Sequence, residues 1–174
     1  MSIRVGVLTV SDRSFTGERP DQSGPAIVQV IKDMNWIIVR MEIVPDDFDL
    51  ISHRLAEWSD SGEIDVLLTT GGTGFGLRDI TPEATTSVIE RSAPGLTEAM
   101  RSSSLRITPH AMLTRAAAGI RKNTLIINLP GSPKGVIENL NVVLPVLPHA
   151  VQLLSEDPQA ESSHILAQNQ QIKS

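Results

Sequence analysis

Residues 69–85, TTGGTGFGLRDITPEAT, carry four glycines (Gly71, Gly72, Gly74 and Gly76), Thr73 among them, and Asp79 just beyond. Glycines at this density let backbone N–H groups approach an anion closely and adopt positive φ, which suits phosphate oxygens; a plain tight turn would use the same residues. Two common nucleotide loops can be excluded. A P-loop ends in Gly-Lys-Ser/Thr, and no Lys follows these glycines. The dinucleotide fingerprint, counted from Gly72, requires glycine at position 77, where Leu77 stands. Asp46, beside Asp47, follows another apolar run. Either member of that pair can cap a helix while the other serves as a ligand, and Asp79 can equally close its loop or pair with Arg78. Brought together beside a phosphate cradle, Asp46 and Asp79 suit Mg2+, a hard cation that takes oxygen ligands. Such a cation also relieves the repulsion between carboxylates and phosphates.

Other candidates are weaker in isolation. Residues 130–135, PGSPKG, combine Gly131, a Ser132 cap, Pro133 and Lys134 at a helix start, which is an anion site or simply a good N-terminus. Ser11 and Asp12 end the first apolar run, where a ligand or an ordinary strand end fits. Arg101, on the helical stretch with Glu98 and Met100, can clamp an anion or lie at the surface. The histidines (His53, His110, His149, His164) are scattered without metal-ligand spacing and read as structural or solvated. No Gly-x-Ser-x-Gly elbow supports a hydrolase triad.

These residues need a scaffold, and the hydrophobic pattern supplies one. Strands are expected at 3–10, 36–44, 65–70, 116–120 and 124–129, the last two turned at 121–123. A polar loop is expected over 13–21, then a helix opened by Ser23, Gly24 and Pro25. Further helices are expected over 48–60, over 83–91 behind a Thr81-Pro82 start, and over 96–105. A short helical piece should follow Thr108-Pro109, and a last helix over 134–154 must kink or split at Pro145 and Pro148. Strands alternating with helices predict a three-layer α/β/α domain with a mainly parallel sheet. In such sheets ligands bind beyond the carboxyl ends of the strands, where the loops above fall.

The chain has 174 residues, 40% of them hydrophobic, with Lys+Arg 15 against Asp+Glu 20. That suits one domain over 1–155 and excludes wholesale disorder. Residues 156–174 are polar and Gln/Ser-rich and read as a loosely held tail. A net charge of −5, two Trp, three Phe and no Tyr argue against a nucleic-acid partner. The absence of Cys removes disulfides, thiolate zinc, iron–sulfur clusters and cysteine nucleophiles. The first residues carry neither a membrane span nor a signal-peptide cleavage site, so a cytoplasmic location without membrane attachment is expected.

Taken in order, LTVSDRSFTGERPDQSGP, TTGGTGFGLRDITPEAT, PGLTEAMR, ITPHAMLTRAAAGIR and LIINLPGSPKG resemble the molybdopterin adenylyltransferase family, which includes bacterial Mog-type proteins and the G domains of gephyrin and its plant counterpart. The resemblance covers residues 3–154. It implies a homotrimer that transfers AMP from Mg-ATP to the terminal phosphate of molybdopterin, releasing pyrophosphate ahead of molybdenum insertion. It implies hand-off to a molybdenum insertase. It places the family's catalytic acids on Asp46 and Asp79 and its nucleotide and pterin pocket on Gly71, Gly72, Thr73 and Gly74. Ser11, Asp12, Ser23, Gly24, Glu98, Arg101, Gly131, Ser132 and Pro133 match its other pocket motifs. The alternative is a related domain that holds the pterin without adenylylating it. An insertase is disfavoured by the single-domain length.

Overall fold

A computed structural model describes residues 2–155, so the polar segment 156–174 and His164 lie outside the described residues. The backbone begins with β1 (Arg4–Val10) and a short α1 (Asp12–Phe15), then α2 (Ser23–Asp33), β2 (Ile37–Val44), α3 (Phe48–Asp60) and β3 (Val66–Thr70). It continues through α4 (Thr81–Val88), β4 (Arg91–Ser92), α5 (Pro94–Leu105) and a 3-10 turn (Pro109–Leu113). The hairpin β5 (Ala118–Arg121) and β6 (Thr124–Leu129) leads to α6 (Pro133–Val143), a 3-10 turn (Leu144–Val146) and α7 (Leu147–Leu154).

The strands form one sheet in the order β2-β1-β3-β6-β5-β4, parallel from β2 to β6 and antiparallel at β5 and β4. Every residue of β3 and β6 is buried, as central strands covered on both faces require. The two-residue period then divides their side chains between two cores. Val5, Val7, Val66, Leu68, Leu125 and Ile127 meet α2, α5, α6 and α7 through Ile27, Ile31, Met100, Val136, Leu140 and Val151. Leu8, Val10, Leu67 and Ile126 meet α3 and α4 through Ile51, Leu55, Trp58 and Val88. Gly6 matters to the second core because a Cβ there would come within 2.8 Å of Ile64 and 3.1 Å of Trp58. Residues 133–154 have the length and mean hydropathy, 1.2, of a membrane span, but burial of Val136, Leu140, Leu147 and Val151 makes them core helices.

Several boundaries differ from the sequence expectation. The 13–21 loop begins inside α1, because the Ser11 side chain accepts from Ser14 N–H and caps that turn. Thr81 does not cap α4: its hydroxyl donates to the Gly71 carbonyl at 2.9 Å, and the helix starts at Thr81 itself. That helix ends at Val88 rather than residue 91, since Arg91 and Ser92 pair with Ile120 and Gly119 of β5. The long last helix splits at the 3-10 turn holding Pro145, with Pro148 in the first turn of α7.

Candidate active site

Parallel register brings the carboxyl ends of β1, β2, β3 and β6 to one edge, with Thr9 opposite Thr70, Val10 opposite Val44, and Thr70 opposite Leu129. The chain turns one way from β1 to β2 and the other way to β3. The crevice therefore opens at the switch point between β1 and β3. A cavity of about 560 Å³ lies there, lined by Ser11, Asp12, Ser23, Asp46, Gly71, Gly72, Asp79, Gly131, Ser132 and Pro133 among others. A second cavity of about 560 Å³ lies beside it, lined by Thr73, Gly74, Met100, Arg101, Ile107, Leu113, Asn128 and Lys134, with Ser132 common to both. Of the residues proposed from sequence, Gly24 and Glu98 line neither. Gly24 is buried where a Cβ would strike the Asp21 carboxylate at 2.4 Å, and Glu98 is exposed on α5.

The glycine loop has the conformation its composition allows. Gly71 (φ +99) and Gly72 (φ +64) are in the left-handed region. A Cβ on Gly71 would lie 2.2 Å from the Val10 carbonyl oxygen, so the loop can rest on β1 only as glycine. Gly74 and Gly76 leave room for Asp79, whose Oδ2 accepts the Gly76 N–H at 2.8 Å and would lie 2.9 Å from a Cβ on Gly74.

The two neighbouring aspartates separate by role. Asp47 caps α3, accepting the Leu50 N–H at 2.9 Å. Asp46 turns into the first cavity and exchanges hydrogen bonds with Asp12: the Asp12 N–H donates to Asp46 Oδ2 at 2.9 Å, and the Asp46 N–H to Asp12 Oδ1 at 3.0 Å. Arg78 does not pair with Asp79. Its Nε and Nη2 both grip the Asp12 carboxylate at 3.0 Å. That guanidinium holds the Asp12 carboxyl below its usual range. Burial pushes the Asp46 carboxyl up, and the charges of Asp12 and Asp79 add to this.

That electrostatic frustration is the observation against which a cation must be tested. Asp46 Oδ1 and Asp79 Oδ1 engage no hydrogen bond among the described residues, and both side chains line one cavity. No cluster of three or more His, Asp or Glu residues suited to a metal occurs among the described residues. Asp46 and Asp79 offer two carboxylates to one cavity, and Mg2+ is a cation that takes one or two carboxylates and fills its remaining positions with water and substrate phosphate.

Three supporting residues were absent from the sequence candidates. Asp21 accepts Ser23 N–H and Gly24 N–H at 3.0 and 3.1 Å and the Thr9 hydroxyl at 2.7 Å, so it fixes the start of α2 against β1. An aspartate just before Ser-Gly is a capping signal, and it was available. Asn128 is fully buried after the apolar run Leu125–Ile127 of β6; its amide donates to Thr69 and Thr85 at 2.9 and 2.8 Å. A lone Asn within LIINL was also a signal. Arg115 lies within the ITPHAMLTRAAAGIR motif but carried no local sign of its partner: it reaches back 41 residues to donate to the Gly74 carbonyl at 2.7 Å.

A family model described as "Probable molybdopterin binding domain" matches residues 6–149. A molybdopterin adenylyltransferase of Helicobacter pylori is 46% identical over 155 residues, covering 88% of this chain and 88% of that relative. Gephyrin of Dictyostelium discoideum is 47% identical over 167 residues and matches 90% of this chain, which spans only 23% of that longer relative. The crystal structure of the molybdopterin biosynthesis enzyme MoaB from Thermus thermophilus is similar with a TM-score of 0.84 at 50% identity, over 90% of this chain and 98% of that one.

Proposed function

The chain belongs to the molybdopterin-binding domain family that includes the bacterial molybdopterin adenylyltransferases, and we propose that it transfers AMP from Mg-ATP to the terminal phosphate of molybdopterin. The observation that carries this reading is the pair of adjoining cavities. The first joins a glycine loop to the two carboxylates Asp46 and Asp79. The second offers the apolar side chains of Met100, Ile107 and Leu113 to a flat heterocycle, with the polar groups of Arg101, Ser104 and Thr108 beside them. The loop 71–74 passes from one to the other and Ser132 borders both, so a pterin phosphate and a nucleotide α-phosphate can meet at that junction.

In the proposed reaction a phosphate oxygen of the pterin attacks the α-phosphorus of ATP. The new P–O bond forms as the bond to the departing pyrophosphate breaks. The attacking phosphate is already ionised near neutral pH, so no side chain must remove a proton. Asp46 and Asp79 would hold Mg2+, which supplies charge neutralisation to the phosphates. Backbone N–H groups of residues 72–74 receive phosphate oxygens, the Gly71 N–H being engaged by the Leu129 carbonyl, and the start of α6 adds the Lys134 N–H, since Pro133 has none and Gly135 N–H is held by the Ser132 cap. Arg101 and Lys134, at the second cavity, face the charge of the pterin phosphate. The family resemblance further supports a homotrimer and hand-off of the adenylylated pterin to a molybdenum insertase. A cytoplasmic setting belongs to the same reading.

The test supplies ATP labelled at the α-phosphorus, with Mg2+ and molybdopterin. Label should pass to the pterin with one pyrophosphate released per transfer. Tight pterin binding without transfer of label would make the chain a carrier instead.

A further inference from the structure

A loop made of glycines can approach a phosphate because it lacks side chains, and for the same reason it has nothing of its own to hold its shape. Arg115, in the link between the 3-10 turn Pro109–Leu113 and β5, supplies what the loop lacks. Its backbone N–H donates to the Thr73 carbonyl at 2.9 Å. Its Nε donates to the Gly74 carbonyl at 2.7 Å, its Nη2 to the Asp79 carbonyl, and its Nη1 to the Glu83 carboxylate in α4. Four anchors thus run along the 73–83 segment from one residue. Its neighbours Thr114 and Ala116 line the apolar cavity, but Arg115 itself does not, and its guanidinium holds the Asp79 carbonyl instead.

We infer that Arg115 is a positioning residue: it clamps the glycine loop and Asp79 against the wall of the second cavity, so that both substrates meet in one register. The inference rests on the two-cavity reading above. It touches neither cavity's contents, because the guanidinium spends its donors on the protein. Each carbonyl it engages is turned toward it, which leaves the loop's N–H groups available on the other side. A planar fork is required for this task. A lysine ammonium is a single point charge and cannot meet three acceptors spread from Gly74 to Glu83.

The experiment compares wild type with Arg115→Gln and Arg115→Lys. Calorimetry reads Mg-ATP binding and molybdopterin binding separately, and a rate assay follows AMP transfer against Mg2+ concentration. For folded Arg115→Gln the half-saturating Mg2+ should rise about tenfold, as loss of a partner behind a metal ligand does. The kcat should fall about 100-fold from misalignment. The dissociation constant for molybdopterin should change by less than about threefold, since Arg115 does not line its cavity. Arg115→Lys should recover little of either loss. Unchanged Mg2+ dependence and Mg-ATP affinity in the Gln variant would overturn the inference, as would full recovery by Lys. If Arg115→Gln does not fold, Glu83→Gln removes one anchor alone and should shift Mg2+ dependence in the same direction by less. No shift there would also overturn it. A wild type that binds Mg-ATP but transfers no AMP refutes the transfer reaction instead, and the calorimetric comparison still judges Arg115.

Discussion

Asp46 and Asp47 are chemically identical neighbours, and the backbone sends them to different tasks. Asp47 spends its carboxylate on the first turn of α3, whereas Asp46 lines the cavity with Asp79. Asp47→Ala should therefore cost about 1 kcal/mol of stability, the usual worth of an N-cap, and leave transfer within about twofold of wild type. Asp79→Asn should abolish AMP transfer while molybdopterin binding persists; unchanged turnover would remove its metal role. Asp46 adds a pH signature. Its folded carboxyl is pushed up from the ordinary value, so folding takes up a proton between the ordinary and the raised value. Stability contributed by this group is then greatest at low pH and falls as pH rises through the raised value. Asp46→Asn should unfold at a higher temperature than wild type at neutral pH without Mg2+, and the gap should close on acidification. A variant less stable than wild type at neutral pH would contradict that electrostatic picture. The pair Asp46 or Asp47 could not be resolved from sequence, because both obey the same capping preference and only the turn of the chain after Val44 separates them. The role of Arg115 was illegible for a different reason: it stands in a motif of the family, but its partners lie 32–41 residues away and no local pattern marks them.

Elements with strong periodicity were legible almost to the residue. Residues 48–60 form α3 as expected, and 124–129 form β6, because each couples a clear apolar pattern to a clear start or stop signal. The short elements were not. α1 has four residues, none buried, and β4 has two exposed residues, so neither carries a hydrophobic signature. α1 forms on a local Ser11 cap without a hydrophobic pattern to announce it, and β4 forms only by pairing with β5, which is a tertiary fact. The glycines of the sheet and of the loop should fail differently when substituted. Gly71→Ala places a Cβ against the Val10 carbonyl at a positive φ and should cost about 1–3 kcal/mol together with most of the transfer activity. Gly6→Ala overpacks Trp58 and Ile64 and should cost about 1–3 kcal/mol while KM for both substrates is retained. Parallel thermal unfolding and steady-state assays distinguish the two. Equal losses of kcat in both variants would show that the loop's geometry has no special part in catalysis.

At the scale of the molecule, the described residues 2–155 form two cores and both cavities, and the expected domain boundary lies at residue 155. The three-layer architecture was legible because strands with near-continuous apolar runs alternate with amphipathic helices, and the placement of ligands beyond the carboxyl ends of parallel strands then pointed to the crevice. The division of that crevice into an acidic and an apolar half was not legible, since α5 and the 3-10 turn Pro109–Leu113 must fold back beside the glycine loop to make the second half. A chain ending at Ser155 should keep an unfolding midpoint within a few degrees of the full chain and comparable AMP transfer. A large loss of either would place part of the working domain beyond that residue.

The most direct measurement is a crystal structure of the chain with Mg2+, an ATP analogue blocked at the α–β bridge, and molybdopterin. Ion density should stand about 2.0–2.1 Å from oxygens of both Asp46 and Asp79, with phosphates on the N–H groups of residues 72–74 and the pterin between Met100 and Leu113. An ion bound to only one of those carboxylates, or a pterin phosphate held away from the α-phosphate, would contradict the assignment.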